Sequence, residues 1–152
     1  MRAIDTNVLV RLVVRDDPRQ LGAAEKFIAA GAWVSHVVLV EALWVLDAVY
    51  KRSAEQIASA LERLLAHAQL TLQDADVIAA ALGRFRAQPT LGFSDCVVLE
   101  TARKAGHLPL GTFDRQLAKI DGAQRLLQGR NVISRVRRRA SSRTRDDKPQ
   151  AL

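Results

Sequence analysis

The chain has 152 residues, of which 49% are hydrophobic and 26% charged, a composition that allows one domain with a sizeable core and excludes a fibre or a wholly disordered polymer. Its net charge of +7 is unevenly placed, because residues 1–129 hold 15 Lys and Arg against 14 Asp and Glu, whereas residues 130–152 hold eight against two. The body is nearly neutral, and the basic character belongs to a tail that includes Arg135, Arg137, Arg138, Arg139, Arg143 and Arg145.

In chain order, Ala3-Ile4 reads as a short strand that ends on Asp5 and turns into a helix through Thr6 and Asn7, with Val8, Leu9, Leu12 and Val13 at helical spacing. Asp5 at such a corner suits two roles, a ligand position outside the carboxyl end of a strand or a plain helix cap, and both stay open. Asp17-Pro18 starts a second helix carrying Leu21, Ala24, Phe27 and Ile28, and Gly31 ends it. Ala32 to Ser35 is a second strand, so the unit is a right-handed parallel crossover. Val37 to Tyr50 is apolar almost all round and is expected to be a largely buried helix. Glu41 inside it would then need a partner or a metal, since burying a lone carboxylate costs about several kcal/mol.

Ser53-Ala54-Glu55-Gln56 is a capping box ahead of a helical stripe through Ile57, Leu61 and Leu64. Leu70-Thr71-Leu72 alternates as a third strand, and Asp74 is expected to cap the helix bearing Val77, Ile78, Ala81, Leu82 and Phe85. Pro89 to Phe93 is a loop leading to Ser94-Asp95, where Ser94 is the better cap and Asp95 is free to point elsewhere. Gly106 stops that helix, Leu108 to Thr112 is a fourth strand, Asp114 follows it, and a short helical stretch begins at Arg115. A last short strand falls within Ala123 to Leu127. The expected division is a domain over residues 1–133 and a basic, disordered tail over 134–152.

Cys96 is the only cysteine, so no intrachain disulfide or Cys-based zinc site can form, and His36, His67 and His107 lack ligand spacing. With no basic leader before an apolar region and no apolar run near the ~18 residues of a spanning helix, the expected location is cytoplasmic, away from membranes.

Four acids recur at equivalent corners: Asp5 after one strand, Glu41 one turn past the second, Asp95 opening a helix after a loop, and Asp114 after the fourth. In a parallel sheet these corners share one edge. Carboxylates gathered there repel by about 4 kcal/mol per close pair at an effective dielectric near 20, which a divalent cation offsets. Oxygen-only donors point to Mg²⁺ or Mn²⁺.

On Ile4-Asp5-Thr6-Asn7-Val8-Leu9, Val40-Glu41-Ala42-Leu43, Phe93-Ser94-Asp95-Cys96-Val97-Val98 and Gly111-Thr112-Phe113-Asp114, the chain resembles the PIN-domain nucleases. Within them it is most similar to the ribonuclease toxins of type II toxin–antitoxin pairs (VapC-like). Each motif is weak alone, and the four in order, over Met1 to Leu127, are specific. The resemblance implies an α/β three-layer sandwich, with a central parallel sheet of four to five short strands and helices on both faces. It implies metal-coordinating, catalytic acids at Asp5, Glu41, Asp95 and Asp114, with Thr6, Asn7, Ser94 and Thr112 orienting carboxylates or water. The implied activity is metal-dependent hydrolysis of phosphodiesters in RNA, single-stranded or structured, by a homodimer held inactive by a small antitoxin protein. Arg11, Arg15 and Arg115 are candidates for phosphate contacts.

Two other readings remain beside it. A phosphoryl-aspartate phosphatase would want an acid two residues after Asp5, where Asn7 stands. A non-catalytic module would use the acids as caps and bind nucleic acid through the tail.

Overall fold

The computed structural model describes residues 1–127. The tail and the expected boundary at residue 133 lie outside the described residues. The elements run β1 (Arg2–Ala3), α1 (Thr6–Val14), α2 (Pro18–Ile28), β2 (Ala32–Val34), α3 (His36–Ala48), α4 (Ala54–Leu65), β3 (Leu70–Leu72), α5 (Ala75–Ala87), α6 (Phe93–Ala105), β4 (Leu110–Thr112), a 3₁₀ turn (Leu117–Lys119) and β5 (Ala123–Arg125). This is the expected α/β three-layer sandwich. All strand pairs are parallel, and they form two ladders, β1-β2-β3 and β4-β5. With two or three residues each, the strands add little hydrogen bonding of their own. Apolar packing of the helices therefore carries much of the stability.

That packing is visible in the burial. Leu9, Leu39, Leu46, Leu61, Ile78 and Leu99, two from α3 and one each from α1, α4, α5 and α6, are fully buried with Val34 and Cys96. Burial pushes the Cys96 thiol up to about 11, so it is a core side chain and not a nucleophile. Among the described residues no helix is long and apolar enough to cross a membrane.

Several helix ends follow from their sequences. Asp17 accepts the N–H groups of Arg19 and Gln20 ahead of Pro18. Ser53 and Gln56 make the reciprocal capping box, and Gly106 closes α6 with φ 78°, a left-handed conformation that costs glycine little.

Three expectations are corrected. The helix beginning near Val37 is not buried all round. Leu39, Ala42, Leu43 and Leu46 face the core, whereas Val37 is 75% and Trp44 64% exposed, and Glu41 is exposed with them. Its outward apolar residues wall an open groove, and a groove wall and a core face have the same composition. Asp74 occupies the N-cap position of α5 but makes no side-chain cap. Its carboxylate instead takes the Lys104 ammonium at 2.7 Å, with Asp76 at 2.9 Å, tying α5 to α6. Nor is Ser94 a cap: α6 starts at Phe93, and its cap position is Gly92, two residues ahead of Ser94. The reason is Phe93, which is buried and meets the Phe85 ring edge-on at 5.9 Å, drawing the first turn inward.

Candidate active site

Two of the four acids, Asp5 and Asp114, are held by local backbone N–H groups, and Glu41 by a distant hydroxyl. Ile4 extends the β1 pairing by donating its N–H to the Trp33 carbonyl at 3.2 Å. Asp5 then leaves the strand with extended dihedrals and caps α1, one carboxylate oxygen accepting the Val8 N–H at 2.9 Å. The other oxygen takes no part in that cap. At the end of β2, Ser35 caps α3 by accepting the Val38 N–H at 3.2 Å, and Glu41 follows within the second turn.

The two corners are joined through Thr6, whose hydroxyl donates to a Glu41 carboxylate oxygen at 2.6 Å. A charge-assisted bond of this kind fixes the Glu41 side chain against the start of α1. The capped Asp5 and the hydroxyl-bound Glu41 thus flank one residue.

The other two acids form a second couple. Asp95 lies in the first turn of α6, half-buried. Its carboxyl is raised above the usual carboxylate range, first by burial and then by the charge of Asp114. Asp114 lies just beyond β4. Its N–H donates to the Thr112 hydroxyl at 3.0 Å, and one of its oxygens accepts the N–H groups of Gln116 and Leu117 at 2.6 and 2.8 Å. Thr112 therefore aims the turn that presents Asp114.

Among the described residues no three His, Cys, Asp or Glu side chains stand close enough together to hold a metal ion as they are placed. Glu41 is turned onto Thr6, and one Asp114 oxygen is turned onto its own backbone. The donor chemistry nevertheless fits a hard divalent cation: all the donors are oxygens, and the mutual repulsion of Asp95 and Asp114 is what a bound cation relieves.

That repulsion gives a test without any metal. The raised Asp95 carboxyl means its ionised form is disfavoured in the fold, a penalty present above its folded titration and relieved as pH falls through it. In EDTA at neutral pH, Asp95→Asn is therefore expected to melt no lower than the parent, with any advantage vanishing toward acid pH. A clearly lower melt at neutral pH would show that Asp95 makes a favourable contact instead.

Asn7 and Ser94 are exposed in the first turns of α1 and α6. Ser94 and Glu41 border the groove, which has a volume of about 830 Å³ and is walled chiefly by Val37, Val40, Trp44, Ile57, Phe85 and Phe93. The arginines expected at RNA are differently placed. Arg11 bonds to Gln20, Asp16 and Tyr50, and Arg15 pairs with Glu25 at 2.8 Å. By helical rise Arg15 also lies about 15 Å from Asp5, at the other end of α1. Arg115 is exposed beside Asp114.

Sequence reasoning missed the groove and missed Arg125, which the parallel register sets opposite Thr112. The signal for the first was Val37, Val40 and Trp44 on one helical stripe with Glu41. For the second it was the pairing of β5 with β4, which local pattern does not reveal.

A family model described as "PIN domain" matches residues 3–123. No curated protein matches the chain. The matched span contains all four acids and both ladders apart from their outermost residues, and the chain belongs to the PIN domain family.

Proposed function

We propose that the protein is a Mg²⁺- or Mn²⁺-dependent endoribonuclease acting on single-stranded or structured RNA, and that it is the toxin of a toxin–antitoxin pair. PIN domains are generally nucleases. The observation that supports the metal-dependent reading is that the Asp95 carboxyl is raised above the usual carboxylate range, first by burial and then by the charge of Asp114, which a separate element carries. Asp5, Glu41, Asp95 and Asp114 would hold the cation. When bound, it lowers the pKa of a water and offsets charge building on the phosphoryl oxygens.

The chain's own residues do the positioning. Thr6 keeps Glu41 at the head of α1, and Thr112 sets the Asp114 turn. The exposed Asn7 lies two residues after Asp5, and the exposed Ser94 directly precedes Asp95. In the hydrolysis a water oxygen bonds to phosphorus, one ester P–O bond breaks, and the departing oxygen takes a proton.

Exposed Val37 and Trp44 along the groove support the protein-partner part of the reading, a homodimer in the cytoplasm held inactive by a small antitoxin. A strictly monomeric mass, with nothing copurifying on coexpression with the neighbouring gene, would argue against that part.

One observation favours a second reading, a nucleic-acid-binding PIN module without catalysis: among the described residues no three of the acids stand together as placed. Incubating partner-free protein with a mixed single-stranded RNA pool and Mg²⁺ or Mn²⁺ separates the two. The nuclease reading expects cleavage that EDTA abolishes. RNA binding that survives EDTA, with no cleavage under either metal, would establish the binding module.

A further inference from the structure

Helix α3 puts an acid and an aromatic ring side by side on its outward stripe. Trp44 follows Glu41 by three residues and Asp47 follows Trp44 by three, so each neighbours the next, with Cβ atoms about 5 to 6 Å apart. All three line the groove, and Ser94, which directly precedes Asp95, lines it from the first turn of α6. Glu41 and Ser94 make the groove continuous with the candidate active site, and from them it extends along α3 past Trp44 to Asp47.

The chemistry of that stretch favours one kind of occupant. The Trp44 side chain is exposed, and Val37, Val40 and Phe93 make the slot around it apolar. Glu41 is engaged by the Thr6 hydroxyl, whereas the Asp47 carboxylate is exposed and, among the described residues, has no ion pair and no side-chain hydrogen bond. An ionised carboxylate accepts hydrogen bonds and donates none. Among the described residues no Lys or Arg lines the groove, so it is built to hold something other than phosphate. A flat aromatic surface with an acceptor beside it matches a nucleobase that carries an exocyclic amino group. Cytosine presents an amino donor where uracil presents a carbonyl oxygen, and a carboxylate accepts from the first and repels the second.

We propose that Trp44 and Asp47 form a base subsite, in which a base beside the scissile phosphate stacks on Trp44 and donates an exocyclic amino hydrogen to Asp47. The subsite takes its substrate class from the nuclease reading and adds a preference to it, cytosine over uracil at the nucleotide next to the cut. Stacking is tolerant of sequence and supplies affinity. The Asp47 acceptor supplies the discrimination.

The test uses the full chain, free of any partner, in EDTA at low salt, where nothing is cut. The chain has two tryptophans, so a Trp33→Phe background leaves Trp44 as the reporting fluorophore. Oligocytidine and oligouridine of about eight nucleotides, within the site size of a small single-strand-binding fold, are titrated at neutral pH. Oligocytidine is expected to quench Trp44 emission and to bind at least about 5-fold more tightly than oligouridine. Asp47→Ala removes a negative charge and so strengthens binding of both strands, but the ratio between them is expected to fall to within about 2-fold. Trp44→Ala, read by the anisotropy of a fluorescein-labelled oligocytidine, is expected to weaken binding by at least about 5-fold, and Trp44→Phe to recover most of that loss. Both side chains are exposed, so a thermal melt of each variant is expected to match the parent.

Unquenched Trp44 emission up to millimolar strand concentrations would overturn the proposal. So would equal affinity for the two strands in the parent, or a cytidine preference that survives Asp47→Ala. Trp44-dependent, cytidine-preferring binding by a protein that cuts no RNA under either metal would sink the nuclease reading and leave the subsite standing. Metal-dependent cleavage with binding indifferent to Trp44 and Asp47 would do the reverse.

Discussion

Asp5→Asn is expected to abolish metal-dependent cleavage while leaving the melting temperature where it was. The two effects separate because Asp5 has two jobs at one corner. As a cap it accepts the Val8 N–H, and an Asn side-chain oxygen does this about as well. As a proposed cation ligand it contributes a full negative charge, which Asn lacks. Loss of an outer partner of a metal ligand costs roughly 10- to 100-fold in activity, so loss of a ligand should exceed ~100-fold. Thr6→Val, which removes the hydroxyl bonded to Glu41, is expected within that 10- to 100-fold range. Asp5→Ala should by contrast lose the cap as well, at about 1 kcal/mol. The measurement is initial cleavage rate beside a thermal melt for all three. Parent-like cleavage by Asp5→Asn would remove Asp5 from the site.

Arg84→Met is expected to lower stability by about 3 kcal/mol, because it removes a cation from a buried carboxylate. Glu100 is only 6% exposed, receives the Arg84 guanidinium from α5, and has Arg103 of its own helix at 3.4 Å. Met preserves most of the Arg84 stem packing, so the change reports on charge more than on volume. For a domain of this size the shift is about 10 °C in melting temperature. A second variant makes the claim specific: Arg84→Met combined with Glu100→Leu should recover most of the loss, since a well-packed apolar replacement for a buried ion pair is often close to neutral. No recovery would mean that Arg84 acts through packing. The pair also matters to the site, because α6 carries both Glu100 and Asp95.

Where the physics is local, the sequence announces it. The Asp5 corner, the Ser53 capping box, the Leu70 to Leu72 strand and the Gly106 stop depend on residues within a few positions of one another, and the structure has each of them. The places of the four acids in the element order were legible, because strand ends and helix starts are marked by local residues. How the acids orient was only partly legible. Thr6 was expected to steady a carboxylate, but nothing within α1 says that the carboxylate is Glu41, 35 positions away. Competition between distant groups defeated the other readings. Asp74 would cap α5 in isolation, yet Lys104 from another helix claims it. Ser94 would cap α6, yet the burial of Phe93 starts the helix earlier. Glu41 was expected to be buried because its neighbours are apolar, yet that side of α3 has no layer packed over it.

The parallel pairing also sets a timetable. Ala3 aligns with Trp33, Ala32 with Leu70, and Leu110 with Ala123, so each pairing joins strands that are consecutive in the chain, but only after the connecting segment between them has been made. Such long-range pairing is slow to form because loop closure precedes its reward. During translation the earliest acid, Asp5, is made long before Asp114, and the strand flanking Thr112 is completed only at Arg125. On the nuclease reading, a nascent chain is harmless to the message being translated until nearly the whole domain has emerged from the ribosome.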